Sequence, residues 1–144
     1  MDNQDLKDKI KDILSAKKDD LYKKIAIMAV ITKALEDLHV KPVIVGGQAV
    51  EFYTSGGYAT MDIDMLCETS ISKITEVEVE KGLTTYLIGI EDIIIDRLNR
   101  YKYWNVNSDK EWIVGMCFIN YEDIDWKYLI KQARQEGTED ELKE

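Results

Sequence analysis

The stretch Val43-Ile44-Val45-Gly46-Gly47, with Thr60-Met61-Asp62-Ile63-Asp64-Met65-Leu66 further along the chain, decides the fold. The first segment predicts an apolar strand that ends in a glycine turn and a short helix. The second lies in a predicted strand from Ala59 to Leu66. Residues two apart on a strand point to the same face, so Asp62 and Asp64 project together while their apolar neighbours turn towards the core.

Two carboxylates on one face repel each other unless a cation lies between them. Carboxylate oxygens suit a hard ion such as Mg²⁺, which commonly takes one or two protein carboxylates together with substrate phosphates. Gly46 and Gly47 let backbone N–H groups approach a phosphate closely where a helix starts. We therefore predict a site for a metal-bound nucleoside triphosphate, with Asp62 and Asp64 as both metal ligands and catalytic residues.

The composition is typical of a globular protein and narrows the classes of partner. The chain has 144 residues, of which 45% are hydrophobic and 33% charged, and we expect one domain. Its formal net charge of -9 argues against a long nucleic acid as partner. No apolar run approaches the roughly 18 residues of a membrane span, and the acidic start is unlike a signal peptide. We expect no membrane association and a cytoplasmic location.

The hydrophobic periodicity predicts an α/β fold, α+β in stricter terms, with a small mixed sheet flanked by helices. Three parts follow: N-terminal helices over 1–40, a sheet core over 41–89 and C-terminal helices over 90–137. The predicted helices span 2 to about 19, 20–39 with Asp20 as N-cap, 48–53, 90–103, 109–118 and 126–136, the last capped by Asp125 or by the Asp123 region just before it. The predicted strands span 43–45, 59–66, 74–80 and 83–88. We expect the tail over 137–144 to fray.

Several short motifs stand in a fixed order over roughly residues 20 to 140: Val45-Gly46-Gly47-Gln48-Ala49, Tyr53-Thr54, Thr60, Asp62-Ile63-Asp64, Ile88-Gly89-Ile90-Glu91-Asp92, Asp96-Arg97-Leu98, Trp104 and Ser108-Asp109. Together they resemble the nucleotidyltransferase fold of the DNA polymerase beta superfamily. The closer resemblance is to a prokaryotic group of small nucleotidyltransferase-like proteins related to abortive-infection toxins. It implies that Gly46, Gly47, Gln48 and Thr60 bind the nucleotide, and that Asp62 and Asp64 hold Mg²⁺.

One departure from that pattern concerns a third carboxylate. The superfamily places it on a further central strand, and the related group has a longer segment there. In this chain only Cys67 to Ile74 separates the acid-bearing strand from the next hairpin, which is consistent with an internal truncation. Glu76 and Glu78 share one face of that hairpin and are weak candidates for the missing acid.

Two functions from different classes therefore stay open. The first is a nucleotidyltransferase that binds a nucleoside triphosphate with Mg²⁺ and transfers a nucleotidyl group to an unknown acceptor, whether a protein side chain, an RNA end or a small hydroxylated molecule. The alternative is a catalytically inactive interaction module of toxin–antitoxin type. The short segment after Leu66 also leaves a sheet edge exposed, which predicts a homodimer.

Overall fold

The computed structural model describes residues 3–58, 60, 62–67 and 73–143, and the elements below are those of that part of the chain. It is an α+β structure with a four-stranded mixed sheet, as the periodicity predicts. The helices are α1 (Asn3–Ser15), α2 (Asp20–Glu36), α3 (Gly46–Tyr53), α4 (Ile90–Tyr103), α5 (Asp109–Ile119), α6 (Trp126–Glu136) and α7 (Glu139–Lys143). The strands are β1 (Val43–Val45), β2 (Asp64–Leu66), β3 (Ile74–Glu80) and β4 (Leu83–Ile88).

The sheet has the strand order β2-β1-β4-β3. β1 pairs antiparallel with β2 and parallel with β4, while β3 and β4 form an antiparallel hairpin. Because β1 and β4 are parallel, their C-terminal ends lie at the same end of the sheet. Each of these strands leads directly into a helix, α3 after β1 and α4 after β4. Ligands of open α/β sheets commonly bind beyond the C-terminal ends of the strands.

The register assigns residues to the two faces of the sheet, because residues opposite each other on neighbouring strands point to the same side. Ile44 lies opposite Met65 and Leu87. These side chains pack into the cluster that α2, α3 and α4 cover, and Ile44 and Leu87 have no exposed surface. Asp64 and Glu76 lie on the other face, and both are exposed.

The N-cap of helix α2 lies one residue before the predicted one. The Asp19 carboxylate accepts the Tyr22 backbone N–H at 2.7 Å, so Asp19 is the N-cap and the prediction of Asp20 was wrong. Either aspartate fits the local sequence rule, since an N-cap carboxylate needs only an N–H two or three residues ahead. α1 also ends at Ser15 rather than near residue 19, which leaves Asp19 with the extended backbone that a cap requires.

Two further predictions need correction. The acid-bearing strand is shorter than expected, because β2 begins at Asp64 while Asp62 and Ile63 precede it; Ala59 and Met61 lie outside the described residues. The tail does not fray over 139–143, which form α7. Buried Thr138 precedes this helix, and Glu139 makes an ion pair with Arg134 at 2.9 Å.

The predicted bounds of β1, β3, β4, α4 and α6 are confirmed, with Asp125 as the N-cap of α6. These elements have strong local signals: strict alternation in β3, and apolar residues at helical spacing in α4 and α6. Among the described residues, no helix is both long enough and apolar enough to cross a lipid bilayer.

We predict that Leu87→Ala lowers the free energy of unfolding by about 2–5 kcal/mol, because Leu87 is fully buried between the sheet and the helices. Leu38→Ala is the matched control, since Leu38 is 68% exposed and should cost less than about 0.5 kcal/mol. Urea unfolding of both variants measures the difference. Equal losses would contradict the position of the core.

Candidate functional site

The start of α3 is an open helix N-terminus beside the C-terminal end of β1. The N-cap residue is Val45, and no side chain in the described residues caps the helix. The first turn also carries no acidic residue. The first N–H groups of a helix have no partner within the helix, and they carry the positive end of its dipole. This end of α3 therefore has the chemistry of an anion site.

Gly46 makes the turn possible and lies against the Asp64 carboxylate. Its φ of 67° is left-handed, a conformation that glycine adopts without the steric cost of a Cβ atom. A Cβ atom at this position would stand 3.1 Å from Oδ2 of Asp64. The structure thus brings together the predicted glycine turn and one of the two predicted metal ligands.

The burial of the residues around Asp64 alternates as the sequence predicts. Asp62 and Asp64 are exposed, whereas Ile63 and Met65 are half-buried and pack against the main core. The alternation begins before β2 itself, so Asp62 depends on something other than strand pairing for its position. Within the described residues, neither carboxylate takes part in an ion pair.

Thr60 lies between the glycine turn and Asp62. A Cβ atom at Gly47 would stand 3.3 Å from the Thr60 hydroxyl oxygen and 3.2 Å from Cε1 of Tyr58. The same hydroxyl oxygen accepts the backbone N–H of Asp62 at 3.3 Å. Gly47 is therefore required for close packing, and Thr60 connects that packing to the first aspartate.

The predicted nucleotide-binding residue Gln48 is fully buried. Its amide nitrogen donates to Glu51 Oε2 at 3.2 Å, and its amide oxygen has no hydrogen-bond partner in the described part of the chain. The side chain is thus engaged inside the protein on its donor side. Its backbone N–H, in the first turn of α3, remains the group that suits a phosphate.

Sequence reasoning missed two residues that support this site, Lys24 and Glu51. The Lys24 ammonium lies 3.0 Å from Glu51 Oε1, and both groups reach the backbone of Thr60. A signal for Glu51 was present, because it is a lone carboxylate among the apolar residues of α3. A buried charge at such a position requires a partner of opposite charge. Nothing local in the sequence identifies that partner as Lys24.

Glu76 and Glu78 do not complete the site. They lie on β3, at the opposite edge of the sheet from β2 and on the same face as Asp64. Three strand spacings separate the two edges, or about 14 Å, which is too far for a shared cation. In the ranges that the structure describes, no group of three metal-ligating side chains occurs.

Helix α4 begins at the same end of the sheet as α3, beyond the C-terminal end of β4, but its first turn differs from that of α3. Its first turn carries Glu91 and Asp92. Glu91 Oε1 accepts the Asp125 backbone N–H at 2.8 Å, and Asp92 accepts the Tyr128 hydroxyl at 2.7 Å. These carboxylates already compensate the positive end of the helix dipole. Of the two helices that follow parallel strands, α3 is therefore the better anion site.

A cavity of about 650 Å³ lies beside the start of α4, bounded by Tyr53, Lys73 and Asn120 among others. Burial raises the pKa of Tyr53 to about 12, so its hydroxyl stays protonated and donates to the Ile88 carbonyl at 2.7 Å. This bond fixes the end of α3 against β4. Gly46, Gly47, Asp62 and Asp64 do not line this cavity.

We predict that Gly46→Ala and Gly56→Ala both destabilise the fold, because each glycine has a left-handed φ, at a typical cost of about 1–2 kcal/mol. Gly46→Ala should cost more, since its Cβ also meets the Asp64 carboxylate, whereas nothing lies within 4 Å of a Cβ at Gly56. Thermal and urea unfolding of the two variants measure this difference. Identical losses would show that Asp64 does not lie against the turn.

The chain matches no family model, no curated protein and no solved structure.

Proposed function

We propose that this protein binds a nucleoside triphosphate together with Mg²⁺ and transfers the nucleotidyl group to an acceptor hydroxyl. The observation that carries the proposal is the contact between the Asp64 carboxylate and Gly46, at a helix start that no side chain of the described residues caps. The acceptor class remains open between a protein side chain, an RNA end and a small hydroxylated molecule.

The physical argument is one of charge balance. The α3 N-terminus favours an anion such as a phosphate. The Asp64 carboxylate, however, stands against the same turn and would repel a phosphate bound there. A divalent cation between the two removes this conflict, because Mg²⁺ takes its ligands from carboxylates and phosphates together. Exposed Asp62 supplies a second carboxylate from the same segment.

The residues divide the work as follows. Asp62 and Asp64 are the metal ligands, and the backbone N–H groups of Gly46, Gly47 and Gln48 face the phosphates. Thr60 holds the backbone N–H of Asp62 and thereby orients the first ligand. The bound cation would neutralise the charge that develops on the transferred phosphoryl group and the leaving pyrophosphate.

A second candidate function is that of an interaction module without turnover. Two observations favour it. No third acid accompanies Asp62 and Asp64 among the described residues. In addition, α5 presents apolar side chains to solvent, with Phe118 84%, Val114 58% and Ile119 50% exposed, and exposed apolar groups of this kind are typical of protein-binding surfaces. Nucleotide binding and partner binding are compatible; they differ in whether the bound triphosphate is consumed.

The acidic composition limits the acceptors that we propose. A net charge of -9 disfavours a long nucleic acid as acceptor, and a cytoplasmic location agrees with a nucleoside triphosphate as substrate.

The outer edge of β2 is the basis for a proposed dimer. No strand in the described residues pairs with this edge. Such an edge presents free N–H and C=O groups to a second chain, so we also propose a homodimer through β2.

We predict that isothermal titration with ATP, GTP, CTP and UTP detects binding only when Mg²⁺ is present. The Asp62→Asn, Asp64→Asn double variant should bind Mg²⁺–nucleotide at least about tenfold more weakly, since the cation loses both charged ligands, and tenfold corresponds to about 1.4 kcal/mol.

The matched control is the Glu76→Gln, Glu78→Gln double variant. This variant also removes two negative charges, from β3 on the face of the sheet that carries Asp64 and about 14 Å from β2. It should bind Mg²⁺–nucleotide as the wild type does. If both double variants bind equally weakly, the loss of affinity comes from the change in net charge and not from the loss of metal ligands. Equal binding by the aspartate variant and the wild type would remove the metal site altogether. Release of pyrophosphate from the bound nucleotide then separates the enzyme from the interaction module.

We predict that light scattering coupled to size exclusion gives the mass of a dimer for the wild type. Leu66→Lys should shift the population to monomer, because Leu66 is 46% exposed on β2 and a lysine there opposes edge pairing. Phe118→Lys is the control for association through α5 instead. A wild type that elutes only as monomer would contradict the dimer.

A further inference from the structure

Glu51 is a buried carboxylate in the middle of α3, with an exposed fraction of only 3%. Its two oxygens receive three hydrogen-bond donors from three different parts of the chain. The Lys24 ammonium from α2 lies 3.0 Å from Oε1, and the Thr60 backbone N–H donates to the same oxygen at 3.1 Å. The Gln48 amide, one turn earlier on α3, donates to Oε2 at 3.2 Å.

Lys24 makes a second contact that gives the pair its geometry. Its ammonium also donates to the backbone carbonyl of Thr60 at 2.6 Å. The two members of the ion pair thus hold both backbone polar groups of one residue, with Glu51 accepting from its N–H and Lys24 donating to its C=O. These two hydrogen bonds restrain both the position of Thr60 and the orientation of its peptide groups.

Thr60 is the point at which this restraint reaches the candidate site. Its hydroxyl oxygen accepts the Asp62 backbone N–H and lies against Gly47. Asp62 lies outside β2, so strand pairing with β1 does not hold it directly. Thr60 therefore connects the ion pair to Asp62 through hydrogen bonds: its backbone bonds to Lys24 and Glu51, and its hydroxyl oxygen accepts the Asp62 N–H.

We propose that the Lys24–Glu51 pair is a positioning device for the cation site: it fixes Thr60 from both sides, and Thr60 sets the place of Asp62 relative to Asp64 and the glycine turn. Lys24 and Glu51 are positioning residues, because they act through Thr60 and not on the ligand. This inference rests on the proposed function for its purpose, while the restraint on Thr60 is a property of the fold alone.

In this ion pair the Glu51 side chain is buried and the Lys24 side chain is 27% exposed, and its energetics separate positioning from stability. Removing one partner leaves an uncompensated buried charge and is strongly destabilising, whereas replacing both partners with neutral side chains is often close to neutral. If the pair serves stability alone, replacing both residues should leave stability and nucleotide binding nearly unchanged. If it positions Thr60, the double replacement should still weaken binding, because a neutral side chain at position 24 no longer donates to the Thr60 carbonyl.

The experiment compares Lys24→Met, the double variant Lys24→Met with Glu51→Gln, and the control Lys33→Met. Methionine keeps an unbranched apolar side chain and removes the ammonium. Lys33 lies on the same helix with an exposed side chain, so its replacement changes the net charge equally. Amide hydrogen exchange, urea unfolding and titration with Mg²⁺–ATP are measured on each variant of the full chain.

We expect Lys24→Met to lose stability and the double variant to recover most of it. In both, exchange at the Thr60 and Asp62 amides should rise at least tenfold more than at the Leu87 amide in β4, and affinity for Mg²⁺–ATP should fall at least tenfold. Lys33→Met should match the wild type in every readout. If Lys24→Met does not fold, the same exchange and titration measurements on the double variant provide the test.

The outcomes distinguish this inference from the proposed function. A wild type without affinity for Mg²⁺–ATP overturns the proposed function and with it the purpose assigned to the pair. If the wild type binds and the double variant binds equally well, the function stands and the positioning role is overturned. If exchange at Thr60 and Asp62 changes no more than at Leu87, the pair does not hold the loop and the inference fails.

Discussion

The antiparallel pairing of β1 with β2, with Val45 opposite Asp64, is the constraint on which the rest of the site depends. This register places the Asp64 carboxylate on the face of the sheet opposite Ile44 and Leu87, and next to the turn that begins α3. A shift of one residue would turn Asp64 towards the helices and Met65 towards solvent, because side chains alternate along a strand. The apolar residues Ile63 and Met65 specify the register by packing into the core.

The pairing alone does not build the site, since β2 is short and Asp62 precedes it. Between α3 and β2, the Lys24–Glu51 pair forms hydrogen bonds with the backbone of Thr60 and so connects this residue to α2 and α3. Withdrawing the Glu51 carboxylate from water is costly, so such a pair is weak evidence for stability. The role that we propose for it is to position Thr60.

The differences between expectation and structure have a common origin. Strands β3 and β4 and helices α4 and α6 follow the predicted bounds because their signals are local, namely alternation, helical spacing and an N-cap aspartate. The predictions failed where a residue's partner is distant or where two neighbours fit a rule equally. Asp19 and Asp20 fit the N-cap rule equally well from the sequence, and the contacts of α7 are tertiary, with Leu142 packed against the main core and Glu139 paired with Arg134.

The amino-acid sequence by itself determined the α+β class, the order of the elements from α1 to α6 and the glycine turn followed by two alternating aspartates. These follow from side-chain periodicity and backbone preference, which act over a few residues. Only the tertiary structure decided that Asp64 lies against Gly46, that Glu76 and Glu78 stand at the far edge of the sheet, and that Lys24 neutralises Glu51. The physical reason is that strand order and the pairing of buried charges join residues far apart in the chain, and these contacts form only when the whole core packs.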